Sequence, residues 1–306
     1  MMTRRPVVVG LGELLWDLLP TGAHLGGAPA NFAYIASLLG AESLVVSRLG
    51  ADELGERARR TLQKHGLDVG YIQLDEQHPT GTVNVQLAAD GSATYEIVKD
   101  VAWDYLEWSE GLEYIAGRAD AVCFGSLVQR SSVSRETVQR FLDHTRADCL
   151  KIFDVNLRPP FSNAAVVRQS MRRADVLKLN HEEVPHVLEF CSLQASSDED
   201  AARALQQHCD FKAVCITRGS NGSVIATPNE VRVHPGVTVD VADTIGAGDA
   251  FTASLALQML LGAPIRSVSD AANGMGAWVA SQKGAMPVPA PEEQRRLRGA
   301  YGVTHP

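Results

Sequence analysis

Residues Asp240–Phe251, DVADTIGAGDAF, decide how the rest of this 306-residue chain is read. The β-branched approach Val237, Val239, Val241 predicts a strand running into the small-residue turn Gly246-Ala247-Gly248. Asp249 follows, and the pattern from there to Leu261 predicts a helix. Glycines let a backbone curl and leave its N–H groups unscreened. At a helix start, those donors and the positive end of the dipole form a site for an anion. A carboxylate beside a bound phosphate is repulsive unless it takes the proton of a hydroxyl attacking that phosphate. A glycine turn followed by Asp also simply starts helices, with the acid favoured in the first turn, so the turn alone leaves both readings open.

Moving toward the N-terminus, short apolar runs alternate with helical stretches. Ala121–Gly125, Leu150–Asp154, Val176–Asn180 and Ala213–Thr217 read as strands, separated by helices near 132–146, 164–174, 181–191 and 198–208. Val7–Leu11 and Leu44–Gly50 read the same way, with an amphipathic helix over Asp52–His65. This alternation predicts an α/β fold: a doubly wound, mostly parallel sheet flanked by helices. In such sheets ligands gather at the carboxyl ends of the strands. Polar groups stand there: Asp154-Val155-Asn156-Leu157-Arg158, Asn180-His181-Glu182-Glu183, Thr217-Arg218-Gly219-Ser220-Asn221-Gly222 and the Asp243–Asp249 turn. Such a succession suggests a shared rim.

Each ending has two readings. Asn180 and Glu183 fit a reciprocal helix cap, or an amide and a carboxylate holding water around magnesium. Thr217-x-Gly219 is either a turn into Ser223–Ala226 or a contact to nucleotide phosphates. Arg158 is either a surface charge or a partner for an anionic or polyol ligand. Asn273, Gly274 and Gly276, inside a helix expected over Arg266–Gln282, suit either close helix packing or a flat base laid against the helix.

The N-terminal third adds a different pattern. Leu25-Gly26-Gly27-Ala28-Pro29-Ala30-Asn31 opens a helix running to about Leu39, its glycine pair permitting close backbone approach. Asp17 and Asn31 together suit the hydroxyls of a polyol; separately they are a surface charge and a helix-start residue. Thr80–Leu87 and Ser92–Val98 alternate apolar and polar residues about Asp90-Gly91, a hairpin signal. Alternation predicts a separate small sheet with one wet face, a flap or lid. Trp103 and Tyr105 follow, as core or as pocket lining.

Composition excludes several classes. Hydrophobic residues make up 45% and charged residues 21%, a soluble globular balance. The net charge of −8, with Arg295-Arg296-Leu297-Arg298 as the only basic cluster, argues against nucleic acid. No apolar run approaches the roughly 18 residues of a membrane span, and no signal pattern opens the chain, so a cytoplasmic location is expected. The five cysteines are scattered without a CxxC pair, against a disulfide framework or zinc site. Gly10-Leu11-Gly12-Glu13-Leu14-Leu15 begins like a dinucleotide fingerprint but places Leu15 at the third glycine. No GxxxxGK[ST] loop or protein-kinase HRD and DFG set occurs.

With these motifs in place, the chain resembles the ribokinase-like (PfkB) carbohydrate kinases, and within them the bacterial fructokinases. Asp243-Thr244-Ile245-Gly246-Ala247-Gly248-Asp249 matches that family's C-terminal signature, Gly26–Asn31 its N-terminal glycine pair, and Asn180-x-x-Glu183 its metal-associated motif. The resemblance extends from Gly10 to about Pro289 and implies one ribokinase-like domain over 1–306, with a lid from about 14–26 and 72–105. It implies ATP-dependent phosphorylation of a sugar's primary hydroxyl, with D-fructose to fructose 6-phosphate as the expected reaction. Asp249 would be the general base, and the N–H groups of Gly246, Ala247 and Gly248 the anion hole. Asn180 and Glu183 would organise magnesium through water, and Thr217, Gly219 and Gly222 would line the nucleotide, with Asn273 near its adenine or ribose. Asp17, Gly27, Asn31 and Arg158 would hold the sugar. A monovalent cation such as potassium would have the carbonyls of Asp243, Ile245, Ala280 and Gly284 as ligands. A homodimer through the lid is also implied. The alternatives are a kinase for 2-keto-3-deoxygluconate, ribose or a nucleoside, or a non-catalytic sugar-binding protein.

Overall fold

A computed structural model of the chain describes residues 4–19, 22–87 and 93–303. The first half contains β1 (Val7–Leu11), β2 (Leu15–Leu19), β3 (Gly22–Gly26), α1 (Ala28–Leu38), β4 (Glu42–Gly50) and α2 (Glu53–Lys64). Next come β5 (Ile72–Asp75), β6 (Gly81–Leu87), β7 (Ala93–Ile97), α3 (Glu110–Ala116), β8 (Ala121–Gly125), α4 (Ser132–His144) and β9 (Leu150–Asp154). The second half contains α5 (Ala164–Met171), β10 (Val176–Asn180), α6 (Val184–Phe190), α7 (Asp198–Cys209), β11 (Ala213–Thr217) and β12 (Ser223–Ala226). It closes with β13 (Val231–His234), α8 (Ala247–Leu260), α9 (Ile265–Ala280) and α10 (Pro291–Tyr301).

Nine strands form one sheet in the order β13-β12-β11-β10-β9-β8-β1-β4-β5. Pairing is parallel from β11 to β5, and β12 and β13 add antiparallel at one edge. Successive strand residues point to opposite faces, so each short apolar run serves two cores. Val8, Val45, Cys123, Ile152 and Cys215 face α1, α8 and α9. Val7, Val9, Phe124, Phe153, Leu177 and Val214 face the other layer, which includes Phe141 of α4 and Leu205 of α7. Burying one such side chain stabilises the fold by about 1.5–3 kcal/mol.

The chain enters the sheet at β1, builds outward to β4 and β5, then returns to β8 on the other side. Strand order therefore reverses between β1 and β8. A crevice opens at the carboxyl ends of strands at such a switch point. Glu13 beyond β1, Gly125 at the end of β8, and Asp154 and Asn156 at the end of β9 line one cavity there with Asp249 of α8.

The small sheet runs β3-β2-β6-β7. β6 and β7 pair antiparallel, as the alternation predicts, while the Asp90-Gly91 turn lies outside the described residues. The expected lid boundaries need correction. Ile72–Asp75 pairs with β4 at the edge of the large sheet. Trp103 is core, 1% exposed, with the Arg130 guanidinium 3.9 Å over its ring. Tyr105 stacks on His78 at 3.6 Å.

Two other expectations fail locally. Residues 235–246 form no strand; Val237 and Val241 are exposed, so their β-branched pattern does not mark burial. The helix expected over 181–191 begins at Val184, because Asn180–Glu183 closes its own hydrogen-bonded turn first. Among the described residues no helix is long and apolar enough to cross a membrane.

Candidate active site

The loop before α8 is held by Asp243. Its carboxylate accepts from the Ile245 N–H at 3.0 Å and the Gly284 N–H at 3.1 Å. Gly246 then turns the chain with φ 78°, and a Cβ there would stand 2.5 Å from that of Ala285. Only glycine meets both conditions. The 14-residue α8 starts immediately after, so its dipole points at this turn. The N–H groups of Gly246 and Gly248 find no acceptor among the described residues. Ala247 departs from the expected anion hole, since its N–H is turned to the Thr244 carbonyl at 3.3 Å.

Asp249, in the first turn of α8, accepts a hydrogen bond from Asn31 Nδ2 at 2.8 Å. Loss of solvation, with the Asp154 carboxylate nearby, pushes Asp249 up to about 6; Asn31, Lys178 and Arg158 pull the other way. Ionisation near neutrality is what a general base needs.

Asn31 is placed by Gly27. The α1 N-cap has φ 117°, and a Cβ there would lie 2.5 Å from the Glu13 carbonyl. The Gly27 carbonyl receives the N–H groups of Ala30 and Asn31, fixing the first turn. Asp17, on β2 opposite His24, has Oδ2 2.6 Å from the Cβ position of Gly26. Burial raises its carboxyl, opposed by His24 and Arg158. Arg158 is exposed beyond β9, and its charge bears on Asp17, Glu13 and Asp249 together. The structure thus sets Asn31 against Asp249, with Gly27 fixing the turn that carries Asn31, and places both Asp249 and Asp17 within the field of Arg158.

Asn180 and Thr217 stand opposite each other at the ends of β10 and β11. Gly219, with φ 58°, faces open space, as a residue lining a ligand would. Gly222 does not: its Cα packs against the backbone of His234 and Gly236, so its role is in the turn. Asn273 is buried, and its Nδ2 donates to Ser223 Oγ and the Ser269 carbonyl, both at 2.8 Å. Its amide N–H groups join α9 to β12 rather than reaching a base. Gly274 packs against the Tyr301 ring, which settles the small residues of α9 as packing.

Asn180 and Glu183 realise the cap. Glu183 Oε2 accepts from the Asn180 N–H at 2.8 Å, Oε1 from the Leu157 N–H at 2.7 Å, and Asn180 Oδ1 from the Glu183 N–H at 3.0 Å. Burial raises the Glu183 carboxyl, with Lys178 acting against it. Each carboxylate oxygen keeps a lone pair, which fits magnesium held through water with the remaining ligands from phosphates. No cluster of three His, Cys, Asp or Glu that would grip a metal directly is found among the described residues. The expected potassium set fits less well, because the Ala280 carbonyl already receives the N–H groups of Ala242 and Asp243 at 2.9 and 3.2 Å.

Glu13 and Lys178 escaped the sequence reading, which named Asp154 only as a polar strand end. Glu13 is 3% exposed, its Oε2 has no partner among the described residues, and burial pushes its carboxyl up to about 7. Lys178 and Asp154 form a buried pair at 3.0 Å from neighbouring strands. The available signal was a charge inside an otherwise apolar central strand, Val176-Leu177-Lys178-Leu179.

Comparison with known proteins agrees with this geometry. The profile of the pfkB family of carbohydrate kinases matches residues 21–293. A fructokinase of Escherichia coli is 31% identical over 294 residues, covering 90% of this chain and 94% of its own length. The crystal structure of the sugar kinase PH1459 from Pyrococcus horikoshii in complex with ATP superimposes with a TM-score of 0.79 at 30% identity, covering 94% and 96% of the two chains. Fructokinase from Vibrio cholerae, bound to fructose, ADP and calcium, gives 0.76 at 25% identity over 96% and 98%. With the match extending over most of its length, the chain belongs to the pfkB family of carbohydrate kinases.

Proposed function

We propose that this chain transfers the γ-phosphoryl group of ATP to the primary hydroxyl of D-fructose, giving fructose 6-phosphate and ADP. The observation that carries the reaction is the Asn31–Asp249 hydrogen bond at a helix start whose Gly246 and Gly248 N–H groups lack acceptors among the described residues. The fructokinases of Escherichia coli and Vibrio cholerae support fructose as the acceptor.

Asp17, Asn31 and Arg158 bind the sugar, with the backbone at Gly27 closing over it. Asp249 Oδ takes the proton of the hydroxyl as its oxygen bonds to phosphorus. The bond from phosphorus to the bridging oxygen breaks, and its electron pair leaves on ADP. The N–H groups of Gly246 and Gly248 hold the phosphoryl oxygens, because such transfer is mainly positioning and charge stabilisation. Thr217 and Gly219 line the nucleotide. Magnesium, held through water by Glu183 and Asn180, would neutralise phosphate charge. A monovalent cation at the loop would use the carbonyls of Asp243, Ile245 and Gly284. The small sheet acts as a lid that keeps water from accepting the phosphoryl group, and a second copy docks through it.

ADP release from ATP and magnesium across fructose, ribose, 2-keto-3-deoxygluconate, tagatose and adenosine, with and without potassium, tests this. Selective turnover of fructose supports the reading. Turnover of another member retains the mechanism and overturns fructose. Sugar binding without ADP release from any member overturns the kinase reading.

A further inference from the structure

Lys178 is the middle residue of β10, where its neighbours Leu177 and Leu179 are fully buried and it is itself 7% exposed. An unpaired ammonium there would cost several kcal/mol, on the order of the desolvation of a buried ion. Its register partner Asp154 on β9 answers that charge, with Oδ1 and Oδ2 at 3.1 and 3.0 Å from Nζ. Asp154 Oδ2 also accepts from Thr252 Oγ1 of α8 at 3.3 Å, which ties the pair to the helix carrying Asp249.

Pairing alone does not account for where the ammonium points. Nζ lies 3.1 Å from the position a Cβ would take at Gly248. In a helix the Cα–Cβ direction tilts toward the N-terminus. The ammonium therefore stands on the side of Gly248 that faces the start of α8, where the N–H groups of Gly246 and Gly248 lack acceptors among the described residues. Gly248 is an ordinary helical residue, so its missing side chain is not required by its backbone; it leaves the gap that Lys178 fills.

The surrounding charges make a cation necessary. Glu13 beyond β1, Asp154 of β9, Glu183 before α6 and Asp249 of α8 are all acidic, and Arg158 is exposed at the rim.

We propose that Lys178 is a further catalytic residue: its ammonium, held by Asp154 and reaching past Gly248, contacts the phosphoryl group in transit at the start of α8. This rests on the kinase reading above. A fixed charge placed where negative charge is handled lowers the barrier without reorganisation at the moment of transfer.

The test compares Lys178→Met, Lys178→Arg and the double variant Lys178→Met/Asp154→Asn, in which both members of the ion pair are neutralised together. The double variant keeps the proposal falsifiable if Lys178→Met fails to fold. A folded double variant is expected to keep its sugar KM within about threefold while kcat falls about a hundredfold or more, the mark of an interaction made in the transition state. Lys178→Arg is expected to recover part of kcat. A kcat within about threefold of wild type in the folded double variant overturns the proposal. Inorganic phosphate binding, read as a thermal shift, needs no sugar and is expected to weaken about tenfold in the double variant. Wild-type protein that turns over no sugar would sink the kinase reading instead, and the phosphate measurement would then decide Lys178: unchanged affinity overturns its anion contact, and weakened affinity supports it.

Discussion

Asn31 Nδ2 lies 2.8 Å from Asp249 Oδ2, joining the first turns of α1 and α8 across 218 residues of sequence. In the proposed mechanism, sugar binding and proton abstraction would share this contact, with Asn31 aiming the base. Burial and the Asp154 carboxylate raise Asp249 to about 6, and the Asn31 hydrogen bond holds it from rising further. A base works when ionised, so kcat/KM in the wild type is expected to fall as pH drops through about 6. Asn31→Ala removes a donor to the ionised form. Its acid limb is expected to move to higher pH, with kcat/KM at neutral pH lowered roughly tenfold or more. A pH–rate profile of both proteins checks the shift.

Gly246→Ala places a methyl group 2.5 Å from Ala285 Cβ at a backbone φ of 78°. Strain at such a position costs about 1–3 kcal/mol, relieved only if the turn moves. Both a lower Tm and a loss of ADP release are expected. Unchanged activity would separate the turn geometry from the anion site.

Glu13 carries a pH effect of opposite use, on stability rather than rate. Its folded carboxyl sits at about 7 against an ordinary 4.5, so between those values the native state binds more protons than the unfolded one. This group's contribution to stability is therefore fully present below pH 4.5 and is lost as pH rises through about 7. Glu13→Gln, which cannot ionise, is expected to raise Tm at pH 8 relative to wild type and to change it less at pH 5. Denaturation scans of both proteins at the two pH values check the sign.

The parallel sheet was legible because buried central strands are short, continuous apolar runs, and helices separated them. The glycine turn at Gly246, the glycine at Gly27 and the acid at Asp249 were legible because each meets a local backbone or capping need. What escaped was set by distance in the chain. Lys178 and Asp154 meet only across two strands, and Glu13 looks like any acid in an apolar stretch until the sheet encloses it. Val237 and Val241 misled for the converse reason: β-branched residues favour strands through packing, and here both side chains are left exposed. Asn273 suggested a ligand contact because its partner, Ser223, lies on another element.

The central claim is that Asp249 takes the proton of the attacking hydroxyl. Asp249→Asn keeps a side chain of the same shape beside Asn31 but removes the proton acceptor. Turnover with the best sugar of the panel is expected to fall by roughly three orders of magnitude or more, while sugar binding measured by calorimetry stays within a few-fold. Turnover within about tenfold of wild type in that variant, with binding intact, would contradict the account.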